Sequence, residues 1–530
     1  MNVGNASETK TMKNYITTPI FYVNDVPHIG HAYTESAADA IARWSRQRDD
    51  LTFLLAGTDE HGEKILRTAI TNEMTPKEWV DGLVERAWKP LLRQLDISED
   101  RFIRTTDHVH EAAVQKFLTL LRAKGYIYDG TYEGYYCVGC EEYKQSDEYE
   151  LRNGVATCLI HGRPLEYLSE KNYFFKLSEF GPKLAEHYRL NPGSLRPDSV
   201  RNEILNFLDS GVRDISITRS SFDWGIPVPW DSDHVVYVWF DALINYISAI
   251  GWGEESEEFA RWWPATHIVG KDIARLHAVL WPAMLLAADL PLPAAIFGHG
   301  WLLVNGEKMS KSRLTGISPS DVVSKFGSDA FRYYFLRTIR FGYDGSFSWE
   351  DMAARYNADL ANSLGNLSSR VLAMIVRYSA GTARGAASFS EGADLWIERI
   401  RTAGDEFDNA MADFRIHDAV TSAWRLVDAL NVRITETAPW EVAKDPMRVD
   451  ELNALLLEFR CVMLAVSSLL FPIMPNAMLA IWGRFGGDSI GEVSSTGWKK
   501  LLAHSSIAEV RLSAASPLFP RIDLTSVEAF

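Results

Sequence analysis

The chain has 530 residues, 47% hydrophobic and 23% charged, a globular mix long enough for several packed modules without covalent staples. Its formal net charge of −16 argues against nucleic acid as a partner of the average surface, yet residues 301–385 hold 11 Lys and Arg against 7 Asp and Glu, and a polyanion meets one face rather than the mean. Four cysteines make no disulfide framework, Met1 to Lys13 lacks the apolar core of a signal peptide, and the apolar stretches near 278–288 and 461–472 are too short to span a bilayer; a cytoplasmic protein with no membrane partner is expected.

Residues 15–23 are rich in β-formers (Ile16, Thr17, Thr18, Ile20, Phe21, Tyr22, Val23) and read as one strand. Asn24-Asp25 is turn chemistry, and Pro27 suits the first position of a helix carrying Ile29, Tyr33, Ala37, Ile41 and Trp44 at helical spacing. A second strand over 51–56 ends in Gly57-Thr58-Asp59-Glu60-His61-Gly62. This opening predicts an α/β fold, a Rossmann-like parallel sheet with ligands at the carboxyl ends of its strands. Residues 130–164, full of Tyr, Gly, Glu and Cys without helical period, read as a small insertion. Strands are expected again at 235–240 and 266–269, then an apolar helix over 273–288, and Ala295-Ile296-Phe297 leading into a Lys-rich loop. From about 357 to 510 the pattern is nearly all helical, with a surface loop at 381–388. The expected division is a catalytic domain in two halves (1–129 and 225–300), a connective insertion with a zinc knuckle (130–224), a linking fold (301–356), an all-α domain (357–512) and a tail (513–530).

His28 and His31 lie three apart at a helix start, so they share a face of its first turn, where free N–H groups and partial positive charge suit phosphates. Gly30 lets a ring or phosphate approach the backbone closely. Alone, these histidines are as readily a pair of satisfied surface residues. Lys308-Met309-Ser310-Lys311-Ser312 follows 280 residues after His28; its lysines can swing onto transferring phosphates. A solvated basic turn is the ordinary meaning of such a run, but the two motifs in this order make chance a poor explanation. Around the strand ends lie Ile20, Tyr22, Asp59, Trp239, Ala242, Tyr246, Ile273, His277 and Trp281. Aromatic walls suit a thioether, and a carboxylate such as Asp59 suits an α-amino group, although each aromatic taken singly is more often core.

Cys137-x2-Cys140 and Cys158-x2-His161 are two hooks with zinc-ligand spacing, and four such ligands favour a closed structural site. Cys461, in an apolar helix, reads as core. In the helical region, Asn366 and Arg370 lie four apart on one helix face, and Ala438-Pro439-Trp440 offers a ring that would otherwise read as helix packing.

Together the His28–His31 and Lys308–Ser312 motifs resemble the class I aminoacyl-tRNA synthetases, and the residues between them resemble the methionyl-tRNA synthetases, in particular the bacterial type with a single Cys3His knuckle. The resemblance runs from about Tyr15 to about Trp498. It implies ATP binding by His28, Gly30, His31, Lys271, Asp272, Lys308, Ser310, Lys311 and Ser312, with His28, His31, Lys308 and Lys311 catalytic. It implies a methionine site made of Ile20, Tyr22, Asp59, Trp239, Ala242, Tyr246, Ile273, His277 and Trp281, with Asp59 on the amine. A structural Zn2+ would sit on Cys137, Cys140, Cys158 and His161. Asn366, Arg370 and Trp440 would read the anticodon, Trp440 by stacking. The implied partners are L-methionine, ATP with Mg2+, and tRNA(Met), initiator and elongator. Arg313-Leu314-Thr315-Gly316 departs from the Arg-Gly-Asn usual after the second motif, and the appended dimerising module of some relatives is missing, so a monomer is expected. Of the alternatives, a synthetase for another aliphatic amino acid needs a hydrolytic insertion, since a pocket gains only ~1–3 kcal/mol per methylene. A nucleotidylyltransferase has no use for the helical region, and a non-catalytic tRNA-binding protein has none for the His and Lys motifs.

Overall fold

The computed structural model describes residues 12–523 except 145, 153, 255, 305–306, 309–316, 384–392, 488–497 and 500–508. Seven parallel strands form the central sheet: β1 (Lys13–Thr17), β2 (Phe21–Tyr22), β3 (Leu51–Asp59), β4 (Arg101–Arg104), β5 (Leu195–Arg196), β6 (Ala265–Gly270) and β7 (Ala295–His299). Across the sheet they run β5, β7, β6, β1, β3; β2 continues along β3 beyond the end of β1, and β4 takes the opposite edge of β3. The strand expected over 15–23 is thus two strands. Pro19, which has no N–H for a ladder, falls in the break between them. Helix α1 (Ile29–Gln47) packs on β1, β3 and β6 with an almost wholly buried face of Ala32, Tyr33, Ala37 and Ile41. Pro27 is not in this helix. His28 is its N-cap, because a ring nitrogen can accept the N–H groups that open a helix and proline cannot.

The strand expected at 235–240 ends at Val236, and Val238–Leu243 is helical, followed by a helical turn over Asn245–Ser248. A short apolar run suits a buried helix as well as a strand, and periodicity does not separate them. The apolar helix over 273–288 is found, but Leu276–Leu280 is a π-helical turn. Pro282 cannot donate to the carbonyl of Ala278 four residues back; the Tyr188 hydroxyl donates to it instead at 2.8 Å.

The insertion is a long antiparallel pair, Ile127–Cys137 with Glu166–Phe175, carrying a small hairpin, Tyr149–Arg152 with Val155–Cys158. Beyond Pro319 the described chain is mainly helical, and Val449–Leu470 is its central helix, with every residue from Leu455 onward buried. The span Pro446–Leu470 is, by length and composition, apolar enough to cross a membrane, which the shorter estimate at 461–472 missed, but 89% of its most apolar window is buried inside the protein. Cys461 lies in this core. Arg332, with no exposed surface, joins the two regions. It pairs with Asp39 of α1 at 2.6 Å and donates to the carbonyls of Leu95, Pro472 and Ile473. A buried ion pair of this kind persists only with its remaining donors satisfied.

Candidate active site and metal centre

At the carboxyl ends of β1, β2, β6 and β7 lies a cavity of about 320 Å³. His28, Gly30 and His31 form one side of it; Ile20, Tyr22, Trp239, Ala242, Tyr246, Ile273 and His277 form the other, with Asp272 at the wall. The histidines of the first motif and most of the residues expected around methionine therefore open onto a single space.

His28 Nδ1 accepts the backbone N–H of Gly30 at 3.1 Å, while the N–H of His28 donates to His31 Nδ1 at 3.1 Å. The rings stack 3.8 Å apart. Since both Nδ1 atoms accept, a neutral ring of either residue carries its proton on Nε2, and each is a donor at that atom.

On the opposite wall, His277 Nδ1 meets the carbonyl of Ile273 at 3.0 Å and Nε2 meets the Tyr246 hydroxyl at 2.7 Å. Nδ1 is therefore protonated and Nε2 accepts. Burial depresses the His277 pKa to about 4, so the ring is neutral. The hydroxyl of Tyr15 fixes the carbonyl of Tyr246 at 2.8 Å, tying this wall to β1.

Three expected residues are not among those lining the cavity. Trp281 is fully buried and its indole N–H donates to His267 Nε2 at 3.1 Å, with His267 Nδ1 on the Thr17 hydroxyl. Lys271 pairs with Asp344 at 2.6 Å and lies 4.1 Å from the centroid of the Trp301 ring. Asp59 ends β3, is 1% exposed, and its Oδ1 has no partner. Burial, reinforced by the charge of Asp241, holds the Asp59 carboxyl well above the usual carboxylate range. Such a group gains greatly from a nearby cation.

Several further residues belong to the site although the sequence did not single them out. His61 and His110 grip the two oxygens of the buried Asp241 at 2.7 Å each, and His110 also meets Ser248 at 2.9 Å. This network locks the helix bearing Trp239 and Ala242 to the end of β3. His299 joins the Thr34 hydroxyl at 2.8 Å to the Gly300 carbonyl at 2.8 Å, and Gly300 and Trp301 line the cavity. Gly298-His299-Gly300-Trp301, a glycine-flanked histidine after a strand, was the available signal for the second group.

Of the Lys-rich loop, Lys308 is the end of a short strand, Glu307–Lys308, paired with Leu302–Val304. Ser310, Lys311, Ser312 and the segment from Arg313 to Gly316 lie outside the described residues.

Cys137, Cys140, Cys158 and His161 bring one ligand atom each to within 4.8 Å of one another. Tetrahedral zinc with thiolates at about 2.3 Å sets sulfurs about 3.8 Å apart; Cys140 and Cys158 are 3.7 Å apart, and His161 Nδ1 is 3.2–4.0 Å from the three sulfurs. The donor set fits a closed zinc site. In the helical region Asn366 opens the helix Asn366–Tyr378 and is exposed, Arg370 is half-buried one turn on, and Trp440 is 40% exposed on the short helix Pro439–Val442. Both helices pack on Val449–Leu470.

The model of the family described as tRNA synthetases class I (M) matches residues 14–152 and 144–372. A methionine–tRNA ligase of Streptomyces coelicolor is 48% identical over 524 residues, 96% of each chain. One from Caldanaerobacter subterraneus is 44% identical over 96% of this chain and 79% of its own. The fold superposes on Mycobacterium tuberculosis methionyl-tRNA synthetase in complex with methionyl-adenylate with a TM-score of 0.91 at 35% identity, covering 96% of this chain and all of the other. Against the free-state form of that protein the TM-score is 0.84.

Proposed function

As the chain belongs to the methionyl-tRNA synthetases of class I, we propose that it activates methionine with ATP to methionyl-adenylate and pyrophosphate, and then esterifies the terminal adenosine of tRNA(Met), initiator and elongator. The observation that carries this reading is the shared cavity: histidine donors at a helix N-terminus face an aromatic pocket across about 320 Å³.

In the first step the methionine carboxylate attacks the α-phosphate of ATP, which enters as its Mg2+ complex, and pyrophosphate leaves. His28 and His31 donate through Nε2 to phosphate or ribose, at the positive end of the α1 dipole. Lys308 and Lys311 neutralise the charge that develops on the transferring phosphate. Gly30, Lys271, Asp272, Ser310 and Ser312 complete the nucleotide site. Asp59, whose buried oxygen lacks a partner, takes the methionine ammonium. Tyr22, Trp239, Tyr246 and Ile273 enclose the side chain with Ile20, Ala242 and His277, and Trp281 backs the pocket. In the second step a ribose hydroxyl of the tRNA attacks the adenylate. No side-chain nucleophile is needed; catalysis is positioning and charge.

The four-ligand cluster would hold Zn2+, which supplies a crosslink for the knuckle rather than chemistry. Asn366, Arg370 and Trp440 are assigned to the anticodon. The protein is read as a monomer acting in the cytoplasm, where thiols stay reduced.

Amino-acid-dependent ATP–pyrophosphate exchange with all twenty amino acids tests the reading. Exchange with methionine alone is expected. Exchange with isoleucine, leucine or valine instead would discard the methionine pocket, and none at all would discard the activity.

A further inference from the structure

Glu141 of the metal knuckle touches Tyr22 of the amino-acid pocket. Glu141 follows the ligand Cys140 and is 4% exposed. Its Oε1 accepts from the Tyr22 hydroxyl at 2.6 Å and from the backbone N–H of Lys64, at the start of the helix Glu63–Thr71, at 2.7 Å. Its Oε2 fills the hollow left by Gly62: a Cβ there would lie 2.4 Å from that oxygen and 2.8 Å from the Tyr22 hydroxyl. Gly62 itself has φ +105°, so glycine is required on both counts.

The backbone of Glu141 adds a second observation. Its φ is +56°, a left-handed conformation that glycine adopts freely and that is unfavourable for a glutamate by about 1 kcal/mol. The turn after a Cys-x2-Cys hook would therefore be better served by glycine. A bulky residue persists in such a conformation only where its surroundings over-determine it. Here they do: the hook fixes one end of the residue, and Tyr22, Lys64 and Gly62 hold the other.

We infer that Glu141 is a positioning residue that couples the metal knuckle to methionine binding, by setting the hydroxyl of Tyr22 and with it one wall of the pocket. The inference rests on the reading of Tyr22 as a wall of the methionine site. When the knuckle is closed by its metal, the turn delivers the carboxylate between Tyr22 and Lys64. When the metal is removed, the turn relaxes out of its left-handed conformation, and the pocket loses that brace although no ligand of the metal touches methionine.

The test is methionine affinity by calorimetry on the full chain, with zinc content and the KM for ATP measured alongside. E141G relieves the backbone while deleting the carboxyl group, so it keeps the knuckle folded and its zinc bound; it is expected to weaken methionine binding about tenfold, as loss of a buried hydrogen-bond acceptor does, and to leave the KM for ATP unchanged. E141Q, whose amide oxygen still accepts from Tyr22 and Lys64, is expected to stay within about threefold of the wild type. Chelation should bring the wild type to the affinity of E141G and change E141G no further. E141G binding methionine as tightly as the wild type, or a wild type indifferent to chelation, overturns the coupling. A wild type that binds no methionine at all overturns the pocket reading itself, a different result from either.

Discussion

His28 and His31 cap each other's turn. Each Nδ1 accepts a backbone N–H at 3.1 Å, and the rings stack 3.8 Å apart. The same contacts that begin the helix thus select the Nε2–H form of both neutral rings. Capping and chemistry reside in different nitrogens and are separable. His28→Asn retains a good N-cap acceptor but lacks the distal donor. Its melting temperature should stay near that of the wild type while pyrophosphate exchange falls by about 10²–10³, the usual loss for one transition-state donor. His28→Ala should show the same rate loss and, in addition, lose about 1 kcal/mol of stability. Wild-type exchange in His28→Asn would remove that histidine from the mechanism.

Lys311→Ala is expected to slow methionyl-adenylate formation by a similar factor, about 10²–10³, with methionine affinity nearly unchanged, because the role proposed for this lysine is on the transferring phosphate and not on the amino acid. Single-turnover rates and equilibrium binding separate the two, and an unchanged rate would refute the role.

The pocket carries its own pH limit. His277 is neutral, with its pKa depressed by burial to about 4 against an ordinary 6.5, and Nε2 must stay unprotonated to accept from Tyr246. The folded state binds this proton less readily than the unfolded one. The contribution is therefore whole above about pH 6.5, shrinks as pH falls toward 4, and amounts to on the order of 3 kcal/mol at most. Through this group methionine affinity should fall as pH approaches 4. His277→Gln, uncharged at every pH, should flatten that acid limb; an acid limb identical in the variant would assign it to another group.

Trp440→Ala should lower aminoacylation of tRNA(Met) by the ~1–3 kcal/mol that stacking one base contributes, while pyrophosphate exchange without tRNA stays at the wild-type rate. A drop in both would mean that the ring, 40% exposed, supports the fold instead. A drop in neither would remove it from recognition.

Much of this was legible one residue at a time. The strand–turn–helix opening, the spacing of the two histidines, and the paired Cys and Cys/His hooks are local patterns, and each sits within a few residues of the backbone geometry that produces it. Local signals failed where a neighbour far along the chain decided. The strand expected over 235–240 ends at Val236, and Val238–Leu243 is helix. Its buried Asp241 is held by His61 and His110, more than a hundred residues away in sequence. Pro27 looked like a first helical residue, but the reciprocal ring contacts of His28 and His31 moved the helix start past it.

The sequence by itself determined the family and the four residues that could hold a metal, because motif order and thiolate–imidazole donor sets depend on residue type and short spacing. Only the tertiary structure decided which side chains face the ligand and which stand behind them. Trp281 stands behind the pocket while Trp301 and His299 line it, since the order of strands in the sheet sets which loops share a rim. It also decided that Glu141 of the knuckle reaches Tyr22, 119 positions earlier, a contact that no local pattern encodes because its two partners lie far apart along the chain.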